Sequence, residues 1–313
     1  MVLSVSRRTD IPAFYSQWFI NRLKEGYVFI KNPMNSKQIS KININPQVVD
    51  CIVFWTKNPR PLIKSLDEID SMGYHYYFQF TITPYDNTIE RALPDKSKII
   101  ETFIALSKKI GKEKLVWRYD PIILNPSLTI DYHVEAFERM VSQLYQYTNE
   151  CIISFVDLYS KTEKNMGKDS IRQIREDEMH IIAKEFSRIA HKRGIKILTC
   201  SEKIDLDQYG IEHASCIDKE KIDNIIGCSL SHKIKKDGQR PNCGCIECID
   251  IGAYNTCKHN CLYCYASFST EQVIKNNKLH NPKSAILIGD SGEITNYSER
   301  KVISFRDNQL RFI

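Results

Sequence analysis

Short runs of β-branched and aromatic residues recur along the first two thirds of the chain. They occupy residues 2–5, 51–55, 76–82, 115–117, 151–156 and 195–199, each followed by a polar cluster. Between them, residues 13–24, 97–110, 132–147 and 176–193 carry apolar positions at helical spacing. Gly194 sits where a helix would end just before the next strand. Strand–helix alternation of this kind predicts a parallel sheet with helices packed outside it. Six or more such units predict an α/β fold of the TIM-like (βα) barrel type, closed or partial. Residues 1–200 would supply the barrel units, and residues 201–313 a cysteine-rich, metal-binding segment that completes them.

The polar clusters after the strands are the first functional signal. They read Arg7-Arg8-Thr9-Asp10, Thr56-Lys57-Asn58, Thr81 with Thr83, Arg118-Tyr119-Asp120, Asp157-Leu158-Tyr159 and Cys200-Ser201-Glu202. Strand ends of a parallel barrel converge on one face, so the six clusters are expected to ring a polar pocket. Taken singly, each could be a turn or a cap. Thr9-Asp10 before Pro12 has the form of a helix start.

Composition narrows the class. The formal charge of +6 is spread along the chain, which permits a nucleic-acid partner without indicating one. No apolar run approaches the ~20 residues that span a bilayer. The start has no basic region leading into a long apolar stretch, so no signal peptide is expected, and no membrane partner either. A cytoplasmic location is the expectation. Eleven cysteines are then many for a reducing compartment, which argues for metal rather than disulfides. Cys51 and Cys151 lie inside apolar runs and are expected to be buried core thiols. Eight others fall between Cys216 and Cys264, in a charged and irregular stretch where residues 233–240 have the look of an exposed loop.

Two thiol groups emerge. The first is Cys257-Lys258-His259-Asn260-Cys261-Leu262-Tyr263-Cys264. Three thiolates can hold three irons of a [4Fe–4S] cluster and leave the fourth open. A zinc site would want a fourth ligand, for which His259 is the nearby candidate, though ligation so close in sequence strains a tetrahedron. The second group comprises Cys200, Cys216, Cys228, Cys243, Cys245 and Cys248. Of these, Cys200, Cys216, Cys243 and Cys245 are the chosen set for a closed second site, with Cys248 as substitute. Spacing leaves open whether that site holds a second [4Fe–4S] cluster or zinc; iron–sulfur is the preferred reading.

The first motif, with Tyr263 before its last cysteine, resembles the signature of the radical SAM superfamily. That resemblance implies a cluster whose open iron binds S-adenosylmethionine, and reductive cleavage of that cofactor to a 5′-deoxyadenosyl radical. An external one-electron donor such as flavodoxin or ferredoxin would then be a partner. The motif usually follows the first barrel strand, so here a permuted order is implied. Residues 249–253 would form the strand before the cluster loop and residues 285–288 the strand after it, with Gly289-Asp290 near the SAM amino group. The segments Ser6-Arg7-Arg8-Thr9-Asp10-Ile11-Pro12, Phe54-Trp55-Thr56-Lys57-Asn58-Pro59, Trp117-Arg118-Tyr119-Asp120-Pro121 and Cys261-Leu262-Tyr263-Cys264-Tyr265-Ala266 together resemble a bacterial family of unknown function. The last segment is also similar to the spore photoproduct lyase group.

The expected roles follow. Arg7, Arg8, Lys57 and Arg118 are candidates to hold a carboxylate or phosphate of SAM or substrate. Asp120, Asp157 and Glu202 are candidates for ribose hydroxyls or the sulfonium charge, and Tyr119 or Tyr159 for delivery of a hydrogen atom or proton. The substrate, small molecule or nucleic acid, is left open. Two alternatives remain: a zinc-binding barrel hydrolase, and a nucleic-acid-binding protein with a cysteine-rich zinc module.

Overall fold

In the computed structural model, residues 1–158, 165–167, 171–238 and 243–307 are described. All six expected runs become parallel strands of one sheet: β1 (Val2–Val5), β4 (Cys51–Thr56), β5 (Tyr76–Thr81), β6 (Leu115–Ile122), β7 (Glu150–Phe155) and β8 (Lys196–Thr199). A short strand β9 (Glu212–His213) extends the sheet beside β8, and β10 (Cys248–Asp250) pairs with β1 at the other edge. The order is β10-β1-β4-β5-β6-β7-β8-β9. Among the described residues no ladder joins β9 to β10, so the eight strands form an open hydrogen-bonded run rather than a closed barrel.

Strand residues alternate between two faces. One face is apolar and packs on the helices. Leu3, Phe54, Phe78, Trp117 and Ile153 belong to the main core with Trp18 of α2 (Ser16–Glu25), Phe103 of α5 (Lys96–Ile110), Phe137 of α6 (Ile130–Leu144) and Phe186 of α7 (Glu176–His191). Phe137 stacks between Trp117 and Phe186, with ring centroids 5.3 and 3.9 Å away, which seats α6 and α7 side by side on the sheet. The opposite face carries Val2, Val53, Tyr77, Val116 and Ile152. It is covered by the chain after β9, through Cys216, Ile217, Ile222 of α8 (Lys219–Ile226), Leu230 and Ile246.

Helix starts follow local capping chemistry. Asp10 accepts from the Ala13 N–H at 3.0 Å to begin α1 (Ile11–Phe14), while Thr129, Asp218 and Ser269 cap α6, α8 and α9 (Thr270–Lys278) in the same way. A second sheet escapes the sequence reading. Hairpin β2 (Tyr27–Asn32) and β3 (Asn35–Asn43) is joined by β11 (Ser298–Arg300) in the order β11-β3-β2. The run 285–288, expected in the main sheet after the cysteine loop, lies there instead. Ile286 bridges Phe29 of β2, and Ala285 and Ile286 pack with Phe29 in a separate apolar cluster.

Candidate active site

The C-terminal ends of the strands deliver Arg7, Trp55, Lys57, Arg118, Asp120 and Cys200 to a cavity of about 420 Å³. The loop after β10 adds Tyr263, Cys264 and Tyr265, and the segment over the inner face adds Cys216, Cys243 and Cys245. Both thiol groups therefore reach one cleft.

Its charged residues arrive in pairs. Arg118 donates through Nε and Nη2 to Asp120 Oδ2, at 3.0 and 2.5 Å, and through Nη1 to Cys216 Sγ at 3.0 Å and Gln79 Oε1 at 3.3 Å. Ser154 donates to the other oxygen of Asp120. Burial disfavours the Asp120 carboxylate, but Arg118 and Ser154 outweigh it and hold its pKa below the usual range. Arg7 pairs with Asp237 at 2.5 Å and donates to Cys248 Sγ at 3.1 Å. Both guanidiniums lie over the Trp55 ring, Arg7 at 5.5 Å and Arg118 at 5.4 Å from its centroid, which is cation–π spacing.

Lys57 is bound into a buried cluster that the sequence did not announce. Glu90 is 1% exposed and accepts from Lys57 Nζ at 2.7 Å, from Thr83 Oγ1 at 2.8 Å, and from Lys96 and the Tyr263 hydroxyl. Burial would raise the Glu90 pKa, yet the two lysines pull it down to about 2. Tyr263, the aromatic residue of the cysteine motif, is thereby fixed to Lys57 through a shared carboxylate. Lys57 Nζ also sits 5.4 Å from the Tyr263 ring.

Beside the main cleft is a smaller cavity of about 130 Å³, lined by Cys257, Cys261 and Cys264 together with Arg8, Asp10 and His259. Arg7, Lys57, Tyr263 and Cys264 line both cavities, so the two adjoin. Asp250 at the end of β10 holds the loop onto β1: it accepts from Ser4 Oγ, Ser6 Oγ and the backbone N–H groups of Arg7 and Gly252. A Cβ on Gly252 would sit 2.0 Å from Ser6 Oγ, so only glycine admits this approach. Asn255 and Asn260 adopt positive φ (54° and 53°), turning the chain on either side of the first thiol. His259 Nε2 lies 2.8 Å from Asp10 Oδ2, which also accepts from the Lys57 N–H at 2.7 Å. The ring nitrogen Nδ1 of His259 is buried and has no partner.

All eleven cysteines are free thiols. In the triplet, burial pushes the Cys257 and Cys261 thiols above the usual thiol range. The second group differs. Cys200 and Cys216 Sγ are 3.2 Å apart, and Cys243 and Cys245 line the same cleft. Cys248 is not with them but against Arg7. Among the described residues, no three His, Cys, Asp or Glu side chains are arranged to hold a single metal ion as they stand. A cubane does not require that arrangement, because each sulfur binds a different iron. Three soft donors around one small cavity fit such a cluster.

The other candidates are distributed as follows. Arg8 lines the small cavity, its guanidinium 5.5 Å from the Tyr254 ring, and forms no ion pair among the described residues. Asp157 is exposed on the rim of the main cleft. Glu202 accepts from the Phe155 N–H at 2.9 Å just behind the wall, where burial lifts its pKa to about 7. Tyr119 faces away: strand alternation turns it into the helix-side core, where its hydroxyl meets His133 Nδ1 at 2.8 Å, so it cannot deliver hydrogen to the cleft. Asp290 is an exposed cap, accepting from the Gly292 N–H at 2.8 Å, and lines neither cavity. Tyr159 falls outside the described residues.

Fold and site together define an α/β protein with an eight-stranded parallel sheet and a thiol-rich cleft at its strand ends. The chain belongs to the family described as Domain of unknown function (DUF1848), whose model matches residues 2–266. No curated protein matches it. Similar solved structures include a putative alpha-L-fucosidase from Bacteroides thetaiotaomicron VPI-5482, at 14% identity and a TM-score of 0.25, covering 51% of this chain and 66% of that one. Another is the FimX EAL domain of Xanthomonas citri in complex with c-diGMP, at 11% identity and a TM-score of 0.23, covering 66% of this chain and 92% of that one. Overlap at that level carries no functional argument. Among the described residues no helix is long and apolar enough to cross a membrane.

Proposed function

We propose that this protein is a radical SAM enzyme. The observation that carries the reading is that Cys257, Cys261 and Cys264 line one small cavity opening beside a larger polar cleft at the strand ends. A [4Fe–4S] cluster on those thiols would supply one electron to S-adenosylmethionine, splitting its sulfonium into methionine and a 5′-deoxyadenosyl radical. The chain's own part is to bind, orient and shield. Arg8, with no carboxylate partner among the described residues, is the cation best suited to the SAM carboxylate. Arg7, Lys57 and Arg118 are each committed to an acid, so their role is to set the shape and potential of the cleft. Trp55 and Tyr265 offer flat apolar walls for the substrate or the adenine. We read the sheet as a partial (βα) barrel whose inner face is filled by the chain after β9. Free thiols throughout suit a cytoplasmic protein reduced by flavodoxin or ferredoxin.

Anaerobic reconstitution with iron and sulfide tests the assignment. It is expected to give a brown protein carrying one cubane on the triplet. Reduction should yield an EPR signal that shifts when SAM is added, and both should vanish in Cys261→Ala. A reconstituted protein with no sulfide-containing chromophore would refute it.

A further inference from the structure

We propose that Cys200 and Cys216 are a redox-active pair on the wall of the main cleft, closing reversibly into a disulfide with a small disulfide of the glutathione type as oxidant. The pair does not depend on the radical SAM reading. Cys200 directly follows β8, and Cys216 follows β9, the short strand laid parallel to it. Thr199 pairs with His213 in that ladder, and the Ala214 N–H donates to the Thr199 carbonyl at 2.7 Å. The two stretches therefore run side by side where they leave the sheet. Their sulfurs lie 3.2 Å apart.

The two thiols differ in access. Cys200 is half-buried and Cys216 is 3% exposed, and both line the cleft of about 420 Å³. Access makes Cys200 the attacking thiol, and contact makes Cys216 the resolving one. The Cys200 thiolate attacks one sulfur of the small disulfide, forming a mixed disulfide and releasing one thiolate. The Cys216 thiolate then attacks Cys200 Sγ and releases the second. Two protons and two electrons leave the pair, and one small disulfide becomes two thiols. Closure draws the sulfurs from 3.2 Å to about 2.05 Å. Arg118 Nη1, 3.0 Å from Cys216 Sγ, is placed to stabilise the resolving thiolate. The Cys216 contact and burial push the Cys200 thiol up, so exchange is slow at neutral pH.

The bond would alter the cleft in two ways. It turns a sulfur able to carry charge into a neutral one beside Arg118, which keeps Gln79 and Asp120 as partners. It also ties the covering segment to β8. Tyr77 and Gln79 already hold the Cys216 carbonyl against the sheet, at 2.8 and 2.9 Å. A cross-link there stabilises the fold by limiting the unfolded chain. Where glutathione keeps thiols reduced, a pair in contact on a cleft wall is a transient redox element and not a permanent bridge. Cys243 and Cys245 line the same cleft and are the competing partners that the test must separate.

The test uses the full wild-type chain before any iron is loaded, equilibrated with oxidised or reduced glutathione, quenched with acid and alkylated. Trypsin cuts after Lys196, Lys203 and Lys219, which puts Cys200 and Cys216 on separate peptides. Oxidised glutathione should join these into one species, lighter by two hydrogens than their sum, and reduced glutathione should part them. The oxidised chain should also unfold at a higher urea concentration than the reduced one. Cys216→Ser should carry glutathione on Cys200 and show no such shift, while Cys200→Ser should carry none on Cys216. The peptide map is read on wild type, so it decides the matter even where a variant fails to fold. Peptides that stay separate in excess oxidised glutathione, a bond from either cysteine to Cys243 or Cys245, or glutathione trapped on Cys216 would each overturn the proposal. Failure of the triplet to take up iron would instead bear only on the enzyme reading.

Discussion

Ser6 and Asp250 meet at the join of the two edge strands, Ser6 Oγ donating to Asp250 Oδ1 at 2.5 Å. The contact ties the arginine loop after β1 to the strand that leads into the cysteine loop. Asp250 has three further donors in Ser4, the Arg7 N–H and the Gly252 N–H, so one carboxylate fixes both loops. Asp250→Ala leaves four groups without their acceptor, two of them backbone. Hydrogen bonds to a charged partner are worth about 1.5–3 kcal/mol each and do not add fully, so a loss of about 3 kcal/mol is expected in urea unfolding. Iron loading of the triplet should fall with it.

Glu90 makes a prediction with a definite pH sign. Its carboxyl titrates at about 2 in the folded protein, below the ordinary 4.5, because Lys57 and Lys96 hold it ionised against burial. A depressed folded pKa adds stability that is fully present above about pH 4.5 and lost as pH falls toward 2. Glu90→Gln should therefore destabilise the protein by about 3–5 kcal/mol at neutral pH, the usual cost of breaking a buried pair. The difference from wild type should shrink in unfolding curves taken stepwise from pH 5 to pH 2.5.

Arg8 is a test of binding rather than stability. It lines the small cavity, its guanidinium lies over the Tyr254 ring and its backbone N–H donates to Ser6 Oγ. Arg8→Ala should leave the urea midpoint within about 0.5 kcal/mol of wild type. Losing a charge-assisted contact of about 1.5–3 kcal/mol should weaken SAM binding roughly 10- to 100-fold in anaerobic calorimetry. Arg8→Lys should recover part of that loss, since it keeps the charge without the fork.

The main sheet was legible because its strands are buried on both faces and so read as unbroken apolar runs. Period alone could not assign 285–288, since a short apolar run carries no label for which sheet it joins. The hairpin of β2 and β3 had a signal that went unused, an apolar run followed by Asn32-Pro33-Met34-Asn35 at a turn. Tyr119 could have been placed by alternation: Arg118 and Asp120 flank it, and neighbours on a strand face opposite ways. Glu90 had no such signal. It stands alone in a loop, and only the tertiary fold brings two lysines and a tyrosine to it. The cysteine groups were legible as chemistry, but the two adjoining cavities that gather them belong to the folded chain.

The most direct measurement mixes cluster-loaded protein with dithionite and S-adenosylmethionine under nitrogen and quantifies 5′-deoxyadenosine by chromatography. The account predicts that wild type forms it and that Cys261→Ala forms none. A protein shown to carry its cluster and to bind the cofactor, yet yielding no 5′-deoxyadenosine, would contradict it.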